Sequence, residues 1–68
     1  MRIYTLTNTK TGEEKNFLKK NQLAKTISVN SDRIELAIAK NQPICKRTGE
    51  EYLVEYRDVN IGLKIEDN

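Results

Sequence analysis

Polar and apolar residues alternate along the first segment of the chain in a way that predicts a strand over residues 2–8. Tyr4 and Leu6 fall on one face of this strand, and Ile3 falls on the other face with the threonines. The residues Thr-Lys-Thr-Gly that follow favour a turn, and residues 13–17 are predicted to form a returning strand. The segment is therefore predicted to form a β-hairpin, with Ile3 on its more polar face.

The middle of the chain changes to helical spacing in two stretches. The first has apolar residues on one helix face at Leu23, Ala24 and Ile27, and the second has them at Ile34, Ala37 and Ile38. Residues 26–30 are polar or β-branched, which favours a turn between the helices. Asn30 or Ser31 is the expected N-cap of the second helix, with Asp32 at the positive end of the helix dipole. This helix is predicted to run to about Lys40 and to end before Pro43.

A second hairpin is predicted from a strand at 44–47, a turn at 48–50 and a strand at 51–56. The pattern does not decide which face of the last strand points toward the core, because Leu53 and Val54 fall on opposite faces. The alternation within 61–65 is consistent with a short edge strand.

These elements predict an α+β fold of order ββ-αα-ββ. In this fold a helix-turn-helix is flanked by two β-hairpins that form a small antiparallel sheet. The 68 residues suffice for a single domain, 1–68. Its core is expected at about 2–57, with 58–68 as a weakly determined tail or short edge strand.

Residue usage argues against catalysis. The chain has no histidine and a single cysteine, Cys45, so the commonest general base, the commonest metal ligand and an intrachain disulfide are all missing. We expect that the protein is not an enzyme and binds no metal or cofactor.

The longest apolar run is 36–39, far short of the ~18 residues of a membrane span, and we expect a cytoplasmic protein.

Charge is unevenly distributed along the chain. Residues 1–47 hold ten Lys and Arg against four acids, net +6, whereas 48–68 hold two against six, net −4. A basic body with an acidic end suits a polyanionic partner.

A helix-turn-helix would place its second helix in the DNA major groove, with the N-terminal residues of that helix nearest the bases. Arg33 could then read guanine, Glu35 could accept from cytosine or repel phosphate, and the lysines could meet phosphates. The candidate DNA-contacting residues are Lys19, Lys20, Asn21, Lys25, Asn30, Ser31, Arg33, Glu35, Lys40, Lys46 and Arg47.

Other interpretations stay open for these residues. The lysines could be a solvated helix face, and Arg33 could pair with Glu35 instead of a base. The tyrosines could stack on single-stranded bases or could be half-buried cross-strand partners.

Several segments resemble one family. They are Phe17, the run Leu23-Ala24-Lys25-Thr26-Ile27-Ser28-Val29-Asn30-Ser31, the spacing Ile34…Ala37-Ile38, and the run 46–54. Together they are similar to the nuclease-associated modular DNA-binding domain, a small helix-turn-helix module of phage and intron homing endonucleases, over roughly residues 3–56. Ser28 stands where the family has a glycine, the family's basic loop after the second helix is here 41–43, and acids on that helix are atypical.

The resemblance implies a stand-alone, phage-encoded version of this module. Our first hypothesis is a phage or prophage regulatory protein that binds double-stranded DNA, sequence-specifically or generally, in transcription regulation. A chain this small would cover one half-site, so a homodimer is expected to cover two. The alternative is a small protein-interaction module, a phage-encoded binder or inhibitor of a host protein.

Overall fold

A computed structural model describes residues 2–60, 62, 64 and 65. It shows an α+β fold with two helices and a four-stranded antiparallel sheet, as predicted. The elements are β1 (Arg2–Asn8), β2 (Glu14–Phe17), α1 (Lys20–Thr26), α2 (Ser31–Lys40), β3 (Ile44–Cys45) and β4 (Glu51–Asp58). No helix among the described residues is long and apolar enough to cross a membrane.

The sheet has the order β2-β1-β4-β3, so the first strand and the last strand lie side by side at its centre. Every residue of β1 has a partner in β4, from Arg2 opposite Asp58 to Asn8 opposite Tyr52. The two hairpins contribute the outer strands β2 and β3. The central pairing therefore turns two local hairpins into one sheet.

Both helices cover the same face of this sheet. Helix α1 packs on β1 and β2, and α2 packs on β4 and on α1. The buried core between the layers consists of Leu6, Phe17, Leu23, Ala24, Ile27, Ile34, Ala37, Ile44 and Val54. On β4, Val54 is 7% exposed and Leu53 is 39% exposed, so Val54 points inward. The structure thus decides which face of β4 points toward the core, which the sequence pattern did not.

The opposite face of the sheet also contains a buried apolar residue, Ile3. Its side chain is fully buried, although the strand pattern places it on the more polar side. Next to it, Thr5 Oγ1 donates to Asn16 Oδ1 (3.0 Å) and accepts from Arg57 Nε (3.1 Å). Asn16 Nδ2 in turn donates to the Lys64 carbonyl (3.1 Å), so Lys64 lies over this face. The buried Thr5 hydroxyl thus has two hydrogen-bond partners, as buried polar groups generally do.

Several boundaries differ from the sequence-based prediction. Strand β2 begins at Glu14, one residue later than predicted. Strand β3 ends at Cys45, because the Lys46 amide already bonds to the Glu50 carbonyl (2.8 Å) in the hairpin turn. Strand β4 continues to Asp58, since β1 offers partners up to Arg2. In the proposed edge strand 61–65, residues 62, 64 and 65 are not in a strand, and 61 and 63 lie outside the described residues.

Each helix is followed, within two residues, by a residue with left-handed backbone geometry. After α1, Ser28 has φ +58°, and the Val29 amide bonds to the Ala24 carbonyl (3.0 Å). After α2, Asn41 has φ +53°, and the Gln42 amide bonds to the Ala37 carbonyl (3.1 Å). These bonds satisfy carbonyls that a helix end leaves without partners. Asparagine adopts this geometry more readily than other residues with a Cβ atom, because its side chain can hydrogen-bond locally, whereas it is unusual for serine.

We expect Ser28→Gly to raise the free energy of unfolding by about 0.5–1 kcal/mol, because relief of the left-handed strain exceeds the added chain entropy. Urea unfolding followed by circular dichroism measures the change. The matched control is Ser31→Gly at the start of α2, where helical geometry makes glycine destabilising. A loss of stability in Ser28→Gly would contradict the assigned backbone strain.

Candidate nucleic-acid interface

The two helices are joined by the four residues 27–30. Ile27 is buried in the core and anchors the connection, whereas Ser28 takes the left-handed geometry that reverses the chain. Asn30 is extended (φ −72°, ψ 148°) and begins α2 without a side-chain capping bond. Its side chain is exposed at the start of the helix. The connection is thus short and ends in a polar helix N-terminus.

Helix α2 buries one face and exposes the opposite one. Ile34 and Ala37 are buried and Ile38 is half-buried, as the spacing predicts. At 100° per residue, the centre of the outward face carries Asp32, Leu36 and Ala39. Leu36 is 52% exposed. The outward strip of α2 is therefore largely apolar, with an acid in its first turn.

Five of the predicted site residues lie around the turn between the helices. Two adjoining depressions open there and share Val29 and Asn30. We call the surface around them the turn surface, defined by Asn21, Lys25, Asn30, Ser31 and Arg33. It combines two cations with three groups that both donate and accept hydrogen bonds. The fold therefore gathers residues that are as much as twelve positions apart in the chain.

Lys20 and Glu35 lie away from the turn surface and bind each other. The Lys20 ammonium donates to Glu35 Oε1 in an ion pair that connects α1 to α2. The hydrogen bond that Lys20 donates to Glu35 raises the pKa of Lys20 above its ordinary value. The pair cancels one cation and one acid of the predicted set. The sequence could not show this pairing, because it depends on how the two helices pack.

Lys46 is also engaged within the protein. Its ammonium donates to the carbonyl of Ile27, directly after α1. A cation at this position satisfies a helix-end carbonyl and interacts favourably with the negative end of the helix dipole. Lys46 thereby connects the second hairpin to the turn between the helices. Its neighbour Arg47 is exposed in the hairpin turn.

The remaining predicted cations do not join the turn surface. Lys19 occupies the N-cap position of α1, and Lys40 lies in the last turn of α2. Lys40 and Arg47 are exposed, so they flank the helix pair instead of forming its centre.

The tyrosines are cross-strand or local partners. Tyr4 and Tyr56 are directly opposite in β1 and β4, with ring centroids 4.5 Å apart. The Arg2 guanidinium lies 5.6 Å from the centroid of the Tyr56 ring. Tyr56 is nevertheless 43% exposed, so one end of the sheet presents an aromatic surface that the helices do not cover.

Glu50 organises the second hairpin, which carries Lys46 and Arg47. Tyr52 OH donates to Glu50 Oε2 (2.6 Å), and Thr48 Oγ1 donates to Glu50 Oε1 (2.8 Å). The Tyr52 and Thr48 hydrogen bonds lower the pKa of Glu50. The same carboxylate raises the pKa of Tyr52. The hairpin turn is thus stabilised by an ionised carboxylate with two hydroxyl donors.

Among the described residues, no group of three or more acidic or cysteine side chains could hold a metal ion. Comparisons with protein-family models, with curated proteins and with solved structures found no match to this chain.

The Glu50–Tyr52 contact predicts a pH-dependent stability. Because the pKa of Glu50 is lowered, its contribution to the stability of the fold is present above the ordinary pKa of 4.5. This contribution is lost as the pH falls through the lowered pKa. Because the pKa of Tyr52 is raised, its contribution to the stability of the fold is present below the ordinary pKa of 10.0. This contribution is lost as the pH rises through the raised pKa. We expect Tyr52→Phe to be less stable than the unmodified chain at neutral pH, and this difference to shrink at about pH 3.

Urea unfolding at the two pH values measures this difference. Tyr4→Phe is the matched control, because it deletes a hydroxyl elsewhere in the sheet, and its effect should be equal at both. An equally large Tyr52→Phe effect at acidic pH would show that the hydroxyl acts through packing alone.

Proposed function

We propose that the chain is a helix-turn-helix module that binds double-stranded DNA through the turn surface and the outward face of α2. The observation that carries the proposal is the four-residue connection 27–30 with left-handed Ser28. Helix-turn-helix motifs have a turn of three to four residues that often contains glycine. Here serine adopts the backbone that glycine favours, at the position where the resembling family has glycine.

The turn surface offers groups suited to both phosphates and bases. Lys25 and Arg33 supply positive charge on either side of the turn. Asn30 and Ser31, at the start of α2, lie where a recognition helix first meets base edges. Arg33 has the planar fork that pairs with guanine O6 and N7. In this role Asn21, Asn30 and Ser31 bond to backbone or base atoms, and Lys25 neutralises a phosphate.

The outward strip of α2 complements these polar groups. Leu36 and Ala39 could contact thymine methyl groups, which are the apolar features of the major groove. Lys40 and Arg47 flank the helix pair and would meet phosphates on either side. Lys20 and Glu35 are left out of the proposed contacts because they are occupied by each other.

The test is a fluorescence anisotropy titration of mixed-sequence duplex DNA at about 50 and 200 mM salt. Three to four phosphate contacts would weaken binding by about 40- to 150-fold between the two conditions. Absence of binding at the lower salt would refute the proposal. That result would favour the alternative, a small protein-interaction module.

Two substitutions separate base contacts from phosphate contacts. We expect Lys25→Ala to weaken binding to every duplex alike and to reduce the salt slope by about one. Arg33→Ala is expected to lose about 1–3 kcal/mol of discrimination on a selected site, with a smaller effect on random DNA. Lys64→Ala removes the same charge on the sheet face opposite the helices and serves as control. Equal losses for Lys25→Ala and Lys64→Ala would place the DNA elsewhere.

Glu35→Gln tests the role of the ion pair between the helices. The substitution removes a negative charge from α2 and releases the Lys20 ammonium. We expect tighter binding to all duplexes and a steeper salt dependence. Weaker binding confined to sites with one particular cytosine would instead assign Glu35 to base recognition, as the sequence alone allowed.

A further inference from the structure

One edge of the sheet is open over much of β4. Strand β3 pairs only with Glu51 and Tyr52. Beyond them, the described residues provide a partner for β4 on the β1 side alone. The segment 53–57 contains neither proline nor glycine. An edge strand presents unpaired N–H and C=O groups that can pair with another strand, and proline is one of the residues that block such pairing.

The backbone groups that face this open edge follow from two hydrogen bonds. The Glu50 carbonyl accepts from the Lys46 amide on the β3 side, and the Glu51 carbonyl accepts from the Thr9 amide on the β1 side. Direction alternates along an antiparallel strand. Val54 and Tyr56 therefore direct their N–H and C=O groups to the open edge, whereas Glu55 and Arg57 direct theirs to β1.

The side chains of this segment are self-complementary in one register. A twofold axis perpendicular to the sheet could pair β4 with β4 of a second copy so that Tyr56 faces Tyr56. Each Glu55 then lies opposite Arg57 of the other copy, in a non-hydrogen-bonded pair whose side chains approach closely. Shifting the register by one step in either direction places Glu55 opposite Glu55 or Arg57 opposite Arg57. Charge therefore selects the first register.

The exposed chemistry at this edge suits the same register. Tyr56 is 43% exposed and would pack against its copy, which aromatic cross-strand pairs favour. Glu55 and Arg57 are both exposed on the face away from the helices. Among the described residues, the Arg57 guanidinium bonds through Nε to Thr5 Oγ1, and its two terminal nitrogens are the donors that a carboxylate would use.

We propose that the chain forms a twofold-symmetric dimer by antiparallel pairing of β4 with β4, centred on Tyr56. The two sheets become one continuous sheet, closed across the dyad by the Tyr56 backbone bonds and two Glu55–Arg57 pairs. A perpendicular axis keeps both helix layers on the same face. If the proposed DNA binding holds, both turn surfaces then face the same side, as two half-sites require.

The dimer is tested without DNA, by sedimentation equilibrium up to about 1 mM protein. We expect a concentration-dependent dimer in the unmodified chain. Glu55→Arg places like charges opposite each other twice and should raise the dimer dissociation constant about tenfold or more. The double variant E55R/R57E exchanges the charges and should recover most of the affinity. Glu14→Arg on the outer strand β2 makes the same charge change and should have no effect.

Amide hydrogen exchange of the unmodified chain provides a second readout that needs no substitution. Exchange of the Val54 and Tyr56 amides should slow as protein concentration rises, more than that of the Glu55 amide, which faces β1. A monomer at every concentration would overturn the proposal. So would a dimer whose dissociation constant is insensitive to Glu55→Arg. Either result leaves the DNA-binding proposal to be judged by its own titration.

Discussion

The antiparallel pairing of β1 with β4 is the interaction on which the rest of the structure depends. Each hairpin is local and, with two strands, only marginally stable in water. The central pairing brings Arg2–Asn8 against Glu51–Asp58 and makes a four-stranded sheet. Only then is there an apolar face wide enough for two short helices, neither of which can bury its apolar stripe alone. Closing a loop of more than forty residues is the entropic cost of this arrangement.

The sheet also determines where the helices expose their polar residues. Ile27 is buried in the core and Lys46 donates to its carbonyl, so the turn between the helices is attached both to the core and to the second hairpin. The left-handed geometry of Ser28 is retained because these contacts over-determine it. Strain in the connection and presentation of the turn surface therefore have one origin, the packing of α1 and α2 on a common face.

Local patterns in the sequence predict the helices and most strand boundaries, because hydrophobic spacing and turn chemistry are local properties. The burial of Ile3 could not be inferred, since the strand pattern places it among threonines and carries no information on what covers that face. Nor could the ion pair of Lys20 with Glu35, which requires the helices to pack side by side. The candidate residues could therefore be proposed from the sequence. Their division into a turn surface, an internal ion pair and flanking cations required the fold.

The two proposed interactions use different parts of the same architecture. DNA binding would depend on the helix layer, where the exposed groups of the turn surface combine cations with amide and hydroxyl groups. Dimer formation would depend on the edge of the sheet, where backbone groups give affinity and the Glu55–Arg57 pairs give register. Because β4 packs against α2 on one face and is open along its edge, it is the element that would relate the two turn surfaces geometrically. The short length of β3 is then a functional property, since two further residues of pairing would close part of the edge that a second copy needs.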